Sequence, residues 1–206
     1  MVRGLIAFAA GIALSAPLAA APLTVRVVDA SGKPVRDAVV SLYPSSGARA
    51  PRGGGHYVVS QQNIQFHPFL SIVPVGADVS FPNLDNTKHH VYSFSAAKRF
   101  ELKLFAKDQS RTIHFDKPGV VALGCNIHDQ MSALIFVADS AWTGRTNGQG
   151  IATFGDAPNA TARVSVWHPY LRAPSGTVEQ RIAAGQRATR FSIRLRPPPT
   201  AMSMDY

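Results

Sequence analysis

Cys125 is the only cysteine in this chain of 206 residues. It sits in Gly124-Cys125-Asn126-Ile127-His128-Asp129-Gln130-Met131, which puts a thiol, an imidazole and a thioether on one short loop. Upstream, Phe81-Pro82-Asn83-Leu84-Asp85-Asn86-Thr87-Lys88-His89-His90-Val91 offers a further imidazole from His89 or His90. Two imidazoles and one thiolate around a metal, with a weak axial methionine, make a copper site suited to electron transfer. Soft sulfur favours Cu(I), and imidazole accepts both oxidation states. Structural zinc is a poorer fit, because it favours sites built only from thiolates and imidazoles.

Neighbouring residues on a strand point to opposite faces, so only one of His89 and His90 can reach such a metal directly. The other is then an outer or exposed imidazole. Residues 120–123 and 133–137 read as apolar strands entering and leaving the cysteine loop. Strands on both sides would hold the loop rigid, as a metal site with little rearrangement requires.

The amino terminus reads as an export signal. Met1-Val2-Arg3 is a positive start, residues 4–14 are apolar, and residues 15–21 are small enough for cleavage near Ala20 or Ala21. The apolar run is too short to span a bilayer, which takes about 20 residues, so no stable membrane insertion is expected. Export implies a periplasmic location. An oxidising compartment favours disulfides, and Cys125 has no second cysteine to pair with. Burial as an inert thiol is one fate for it and metal binding the other. His128 and Met131 on the same loop favour metal.

The formal net charge is +9. Export and the lack of a basic run interleaved with aromatics argue against nucleic acid. The charge suits an acidic redox partner or an anionic surface, against a background role in solubility. With 12 acidic residues and no paired carboxylates or nucleophile elbow, hydrolytic chemistry is not indicated and the chain does not read as an enzyme.

Short alternating runs separated by Gly, Pro, Asn and Asp predict an all-β chain. Strands are expected at 23–27, 38–43, 57–59, 64–66, 70–73, 78–81, 90–94, 100–105 and 111–115. Further ones are expected at 120–123, 133–137, 151–154, 162–167 and 190–196. The run Arg49-Ala50-Pro51-Arg52-Gly53-Gly54-Gly55 is a flexible connection, and residues 199–206 are expected to be a mobile tail.

Residues 57–138 resemble the cupredoxin family, whose fold is a Greek-key β-sandwich. Phe81-x-Asn83, His89-x-Val91 and Cys125-x-x-His128-x-x-Met131 carry the likeness, and the last is similar to the short loop of amicyanins. The resemblance implies one type 1 copper held by His89, Cys125, His128 and axial Met131. Spacing from Phe81, with Val91 following, favours His89 over His90. In the family the imidazole on the cysteine loop passes the electron through an apolar patch, a role that falls here to His128 beside Ile127.

Two positions depart from the pattern. His90 stands where those proteins usually have Asn, and Ile127 where the amicyanin loop usually has Pro. Ile127 therefore offers an N–H towards the Cys125 sulfur, which would raise the potential.

The flanks, residues 22–55 and 139–198, resemble small transthyretin-like, or carboxypeptidase-regulatory-like, sandwiches. The likeness rests on Val25-x-Val27-x-Asp29, Thr146-x-x-x-Gly150 and Val164-x-Val166-Trp167-His168-Pro169. The cupredoxin would then be inserted between the first strands and the rest of a second, smaller sandwich. The alternative is that the first strands extend the central sheet. His56, His67, His114 and His168 have no partner at metal spacing. Three functions remain open: a one-electron carrier, a copper carrier or sequestration protein, and a structural module with a stabilising metal.

Overall fold

The computed structural model describes residues 22–47, 51 and 55–197. The expected leader at 1–21, most of the connection at 49–55 and the tail at 199–206 lie outside these residues. All seventeen regular elements among the described residues are strands, so the chain is all-β as expected. The first two are β1 (Leu23–Asp29) and β2 (Val39–Pro44). In β1 the alternation Leu23, Val25, Val27 is fully buried while Arg26 between them is exposed. Period-two burial of this kind fixes which face meets the core.

Ten strands follow in the middle of the chain. They are β3 (His56–Val58), β4 (Ser60–Gln62), β5 (Gln65–His67), β6 (Leu70–Pro74) and β7 (Ala77–Pro82). After them come β8 (His89–Ser95), β9 (Lys98–Phe105), β10 (Ser110–Phe115), β11 (Gly119–Cys125) and β12 (Ser132–Ala138). The order β6-β12-β11-β8-β9 makes one sheet and β10-β7-β3 another, with β4 and β5 as a separate hairpin. Between the two sheets lies a core that includes Val79, Phe81, Val91, Phe105, Phe115, Val121 and Ile135.

The last five strands are β13 (Thr143–Arg145), β14 (Ile151–Phe154), β15 (Ala162–Trp167), β16 (Val178–Ile182) and β17 (Ala188–Ile193). They join β1 and β2 in sheets of order β14-β1-β17 and β13-β2-β15-β16. A second core, built on Val25, Val27, Val40, Leu42, Val164, Phe191 and Ile193, fills the space between these sheets. No strand of this set pairs with β3–β12 among the described residues. Gly150 is needed where the two ends of this set meet. It has φ +70, and a Cβ there would lie within 2.4 Å of the Val27 carbonyl oxygen, which backbone cannot give way to.

The two sets touch through side chains. Phe136 of β12 packs on Trp167 of β15 with ring centroids 5.5 Å apart, and Tyr43 of β2 donates its hydroxyl to Asp139 at 2.7 Å. Burial first, and then the bond to Asp139, push the Tyr43 phenol up to about 12. A folded-state value above the unfolded one stabilises the fold fully below the unfolded value. That contribution is lost as pH rises towards 12. Ultraviolet titration should therefore show a phenolate step near pH 12 that disappears in Tyr43→Phe. A Tyr43→Phe titration curve identical to wild type at that step would contradict this assignment.

The structure adds β4, β13 and β16 to the expected strands, ends the one expected at 190–196 at Ile193, and moves a strand start off Ile64. Ile64 was expected to open a strand, as its β-branched side chain suggests, but Asn63 and Ile64 form the turn between β4 and β5. Both have positive φ, 56 and 58, as a tight two-residue hairpin demands. Asn tolerates that region, whereas a β-branched residue is strained there. Strain of this sort costs about 1–3 kcal/mol and persists where surrounding contacts over-determine the backbone. Here both turn N–H groups are committed to one carboxylate, that of Asp85, at 2.6 and 3.0 Å.

Candidate metal centre

Three elements converge at one end of the central sandwich. His89 opens β8, Cys125 closes β11, and His128 lies in the loop between β11 and β12. The β8–β11 pairing sets Cys125 opposite Val91, two residues beyond His89 on the same face. One ligating atom from each of His89, Cys125 and His128 lies within 4.8 Å of the other two. The Cys125 Sγ is 3.9 Å from His89 Nδ1 and 3.7 Å from His128 Nδ1.

Those separations match the space a metal ion needs. Bonds of about 2.3 Å to sulfur and about 2.0 Å to nitrogen, the zinc values, place S and N about 3.5–3.7 Å apart at tetrahedral to trigonal angles, against 3.9 and 3.7 Å here. The donor set also fits copper, with one cysteine sulfur and two imidazole nitrogens facing a single point. His89 is wholly buried, Cys125 is 3 % exposed, and His128 is half-buried. Met131 is 2 % exposed and belongs to the same packed core as Cys125. Its N–H donates to the His128 carbonyl at 2.9 Å, which closes the loop back on itself.

Asp85 fixes the buried imidazole. Its Oδ2 lies 2.8 Å from His89 Nε2, and an ionised carboxylate can only accept. Nε2 therefore donates to it, which in the neutral ring leaves the Nδ1 lone pair facing the sulfur. Partial burial pushes the Asp85 carboxyl up, but bonds from the Ile64 N–H, the His89 imidazole and the Asn63 N–H more than reverse this and hold it below the usual range. Asn83, fully buried, ties down the segment that delivers His89. Its Nδ2 donates to the carbonyls of Thr87 and Phe105, and its Oδ1 accepts the Asp85 N–H at 2.9 Å.

Sequence reasoning singled out Phe81-x-Asn83 but missed Asp85. An acid four residues before a histidine in a polar turn looks like an ordinary turn residue. The available signal was that four-residue spacing beside a candidate ligand.

His90 takes the opposite face, as strand alternation requires. It donates from Nε2 to Glu101 Oε1 at 2.8 Å and leans on Tyr92, with ring centroids 6.0 Å apart. Tyr92 in turn lies against Gly124, where a Cβ would meet its ring at 2.7 Å. The remaining histidines stay away from the cluster. His67 donates to the Gln62 carbonyl, His114 pairs with Asp78, and His168 accepts the Tyr170 N–H. His56 is exposed on β3.

The Ile127 amide does not meet its expectation. Among the described residues the sulfur's partners are the two imidazoles and no backbone N–H. Asn126 and Ile127 form a turn in which the Ile127 side chain is 46 % exposed. A turn that faces solvent has no need of the sulfur as acceptor.

No family model matches the chain, and no curated protein matches it. Solved structures overlap it in part. A copper(I) amicyanin variant is 21 % identical over 48 % of this chain and 98 % of its own, with a TM-score of 0.38. A purple cupredoxin from Nitrosopumilus maritimus is 20 % identical over 41 % of this chain and 100 % of its own, with a TM-score of 0.36. A copper-containing nitrite reductase from Thermus scotoductus is 22 % identical over 56 % of this chain and 28 % of its own, with a TM-score of 0.39. At such scores the chemistry of the centre rests on its own residues.

Proposed function

We propose that this is a periplasmic type 1 copper protein of cupredoxin type, carrying single electrons between redox partners. One observation supports the reading above the rest: a buried thiol and two imidazole nitrogens face a common point, within 4.8 Å of one another. His89, Cys125 and His128 would hold the metal, with Met131 as the weak axial donor. When bound there, copper supplies one-electron redox chemistry. The flanking strands are proposed as a transthyretin-like support.

The protein's own part is positional. Strands β8 and β11 fix His89 and Cys125, and Asp85 holds one tautomer, so neither oxidation state requires the ligands to move. His128, half-buried beside the exposed Ile127, presents the site to a partner. Lys88 and Lys107 are exposed, Lys88 next to His89 and Lys107 bonded to Asn86 in the segment that delivers it, and they would attract an acidic redox partner.

Three measurements bear on this. Reversible voltammetry with slow loss of copper to a mild chelator supports a carrier of electrons, whereas rapid loss supports a carrier of copper. Met131→Leu should keep the metal and raise the potential, because removing a weak donor disfavours Cu(II). An unchanged or lower potential would remove Met131 from the ligand set.

Asp85→Ala should weaken copper binding about 10–100-fold, the usual cost of losing an outer partner of a ligating histidine. Asp85→Asn, which can still accept from Nε2, should recover part of it. Equal affinity in both variants and wild type, by competition titration, would show that the carboxylate does not position His89.

A further inference from the structure

The flanking sheet β14-β1-β17 turns one face to the core and the other to solvent, and the outer face carries arginines side by side. Val25 and Val27 point inward, so Arg26 points out, and on β17 Phe191 and Ile193 point inward, so Arg190 and Arg194 point out. Arg26 lies directly beside Arg190 in the parallel pairing of β1 with β17. Just past β17, Leu171 pairs antiparallel with Leu195, and the Arg172 N–H donates to the Arg194 carbonyl at 2.8 Å. Leu171 and Leu195 face the core, so Arg172 stands beside Arg194 on the outer face.

All four arginines are exposed, and no ion pair among the described residues engages them. The two pairs lie four residues apart on an extended segment, about 13 Å. Like charges directly opposite each other on neighbouring strands destabilise a sheet. A chain that carries two such pairs on one face, with no carboxylate to offset them, gains nothing in stability from them.

We infer that this face docks the protein on a phosphate-bearing anionic bilayer surface. Paired guanidinium forks each take phosphate in bidentate fashion. Among the pairs stand Thr24, Thr153 and Ser192, which add hydroxyls. On this face Ile151, beside Arg26, is partly buried and Val28 is 2 % exposed, so the patch offers no aromatic or fully exposed aliphatic anchor of the kind that dominates a protein–protein interface, and no ring on which bases would stack. A dense array of phosphates is the partner that uses charge alone. The centre at His89, Cys125 and His128 is built from other strands, so docking here does not call on the copper reading.

The test is sedimentation of the protein with vesicles of phosphatidylglycerol and phosphatidylcholine, against vesicles of phosphatidylcholine alone. Binding is expected only to the anionic vesicles, and it should vanish near 1 M salt, where screening acts over about 3 Å. Arg190→Glu with Arg194→Glu creates two complementary cross-strand pairs, so the variant should stay folded by circular dichroism. It should lose at least roughly thirtyfold in partitioning, from about 1 kcal/mol for each basic residue near the surface.

The control is Arg99→Glu with Lys103→Glu on β9, which should change partitioning less than twofold. Equal losses in both double variants would mean that net charge alone binds, and would overturn the assignment. Binding to polyglutamate or duplex DNA without binding to anionic vesicles would overturn it as well. Copper content, read separately by absorbance, should be the same in every variant.

Discussion

Cys125→Ser should abolish the intense visible absorption of the copper-loaded protein. That absorption is a thiolate-to-copper charge transfer, and a serine hydroxyl at the same place stays protonated and hard. The loss should be complete rather than partial, because the chain has no other thiol to take over. Some metal-free destabilisation is expected too. Cys125 is 3 % exposed within an apolar core, where a smaller, more polar hydroxyl packs less well than the thiol even with an imidazole nitrogen nearby to accept from it. Circular dichroism of the metal-free proteins separates that cost from the loss of colour. A folded Cys125→Ser protein with the wild-type visible spectrum would rule out copper–thiolate bonding.

The neighbouring imidazoles should respond in opposite ways. His89 is wholly buried, faces the Cys125 sulfur and is the one side-chain partner of Asp85 among the described residues. His89→Ala should remove an equatorial donor, leave Asp85 with only its bonds from the Asn63 and Ile64 N–H groups, and open a cavity in the sandwich. Loss of the type 1 spectrum should come with a fall in metal-free stability of about 2–5 kcal/mol, by analogy with large-to-small changes in cores.

His90 faces the other way, and its partner Glu101 is 62 % exposed. A pair with one partner that wet contributes about 1 kcal/mol or less. His90→Ala should keep the spectrum, with at most a shifted potential. The reverse pattern, with colour lost in His90→Ala and kept in His89→Ala, would move the ligand assignment to His90.

Much of this was legible in the sequence because it is local. Alternation in Leu23, Val25, Val27 and in Val164, Val166 announces strands with one buried face. The cysteine loop is contiguous, so its ligand types and spacing stand in plain view. Strand geometry required only that one of His89 and His90 reach the site, since adjacent residues cannot share a face, and the spacing from Phe81 with Val91 following favoured His89.

What escaped depends on contacts between distant segments. Ile64 reads as a strand residue by propensity, yet Asp85, on the far side of β7, holds its N–H in a turn. Asp85 looks like turn filler until the fold brings it to His89 and to the β4–β5 hairpin at once. The Ile127 amide failed for a related reason: an available donor says nothing about where the turn directs it. The parallel pairing of β1 with β17 joins the first and last strands of the described residues, and it alone sets Arg26 beside Arg190.

The most direct test of the central claim is the visible and electron paramagnetic resonance spectrum of the protein loaded with one equivalent of Cu(II). A type 1 centre should give an intense thiolate-to-copper band together with a narrow copper hyperfine splitting. Both signals should vanish on reduction and return on oxidation. A pale protein with the wide splitting of ordinary nitrogen- and oxygen-bound copper, or one that takes up no stoichiometric copper, would contradict the claim.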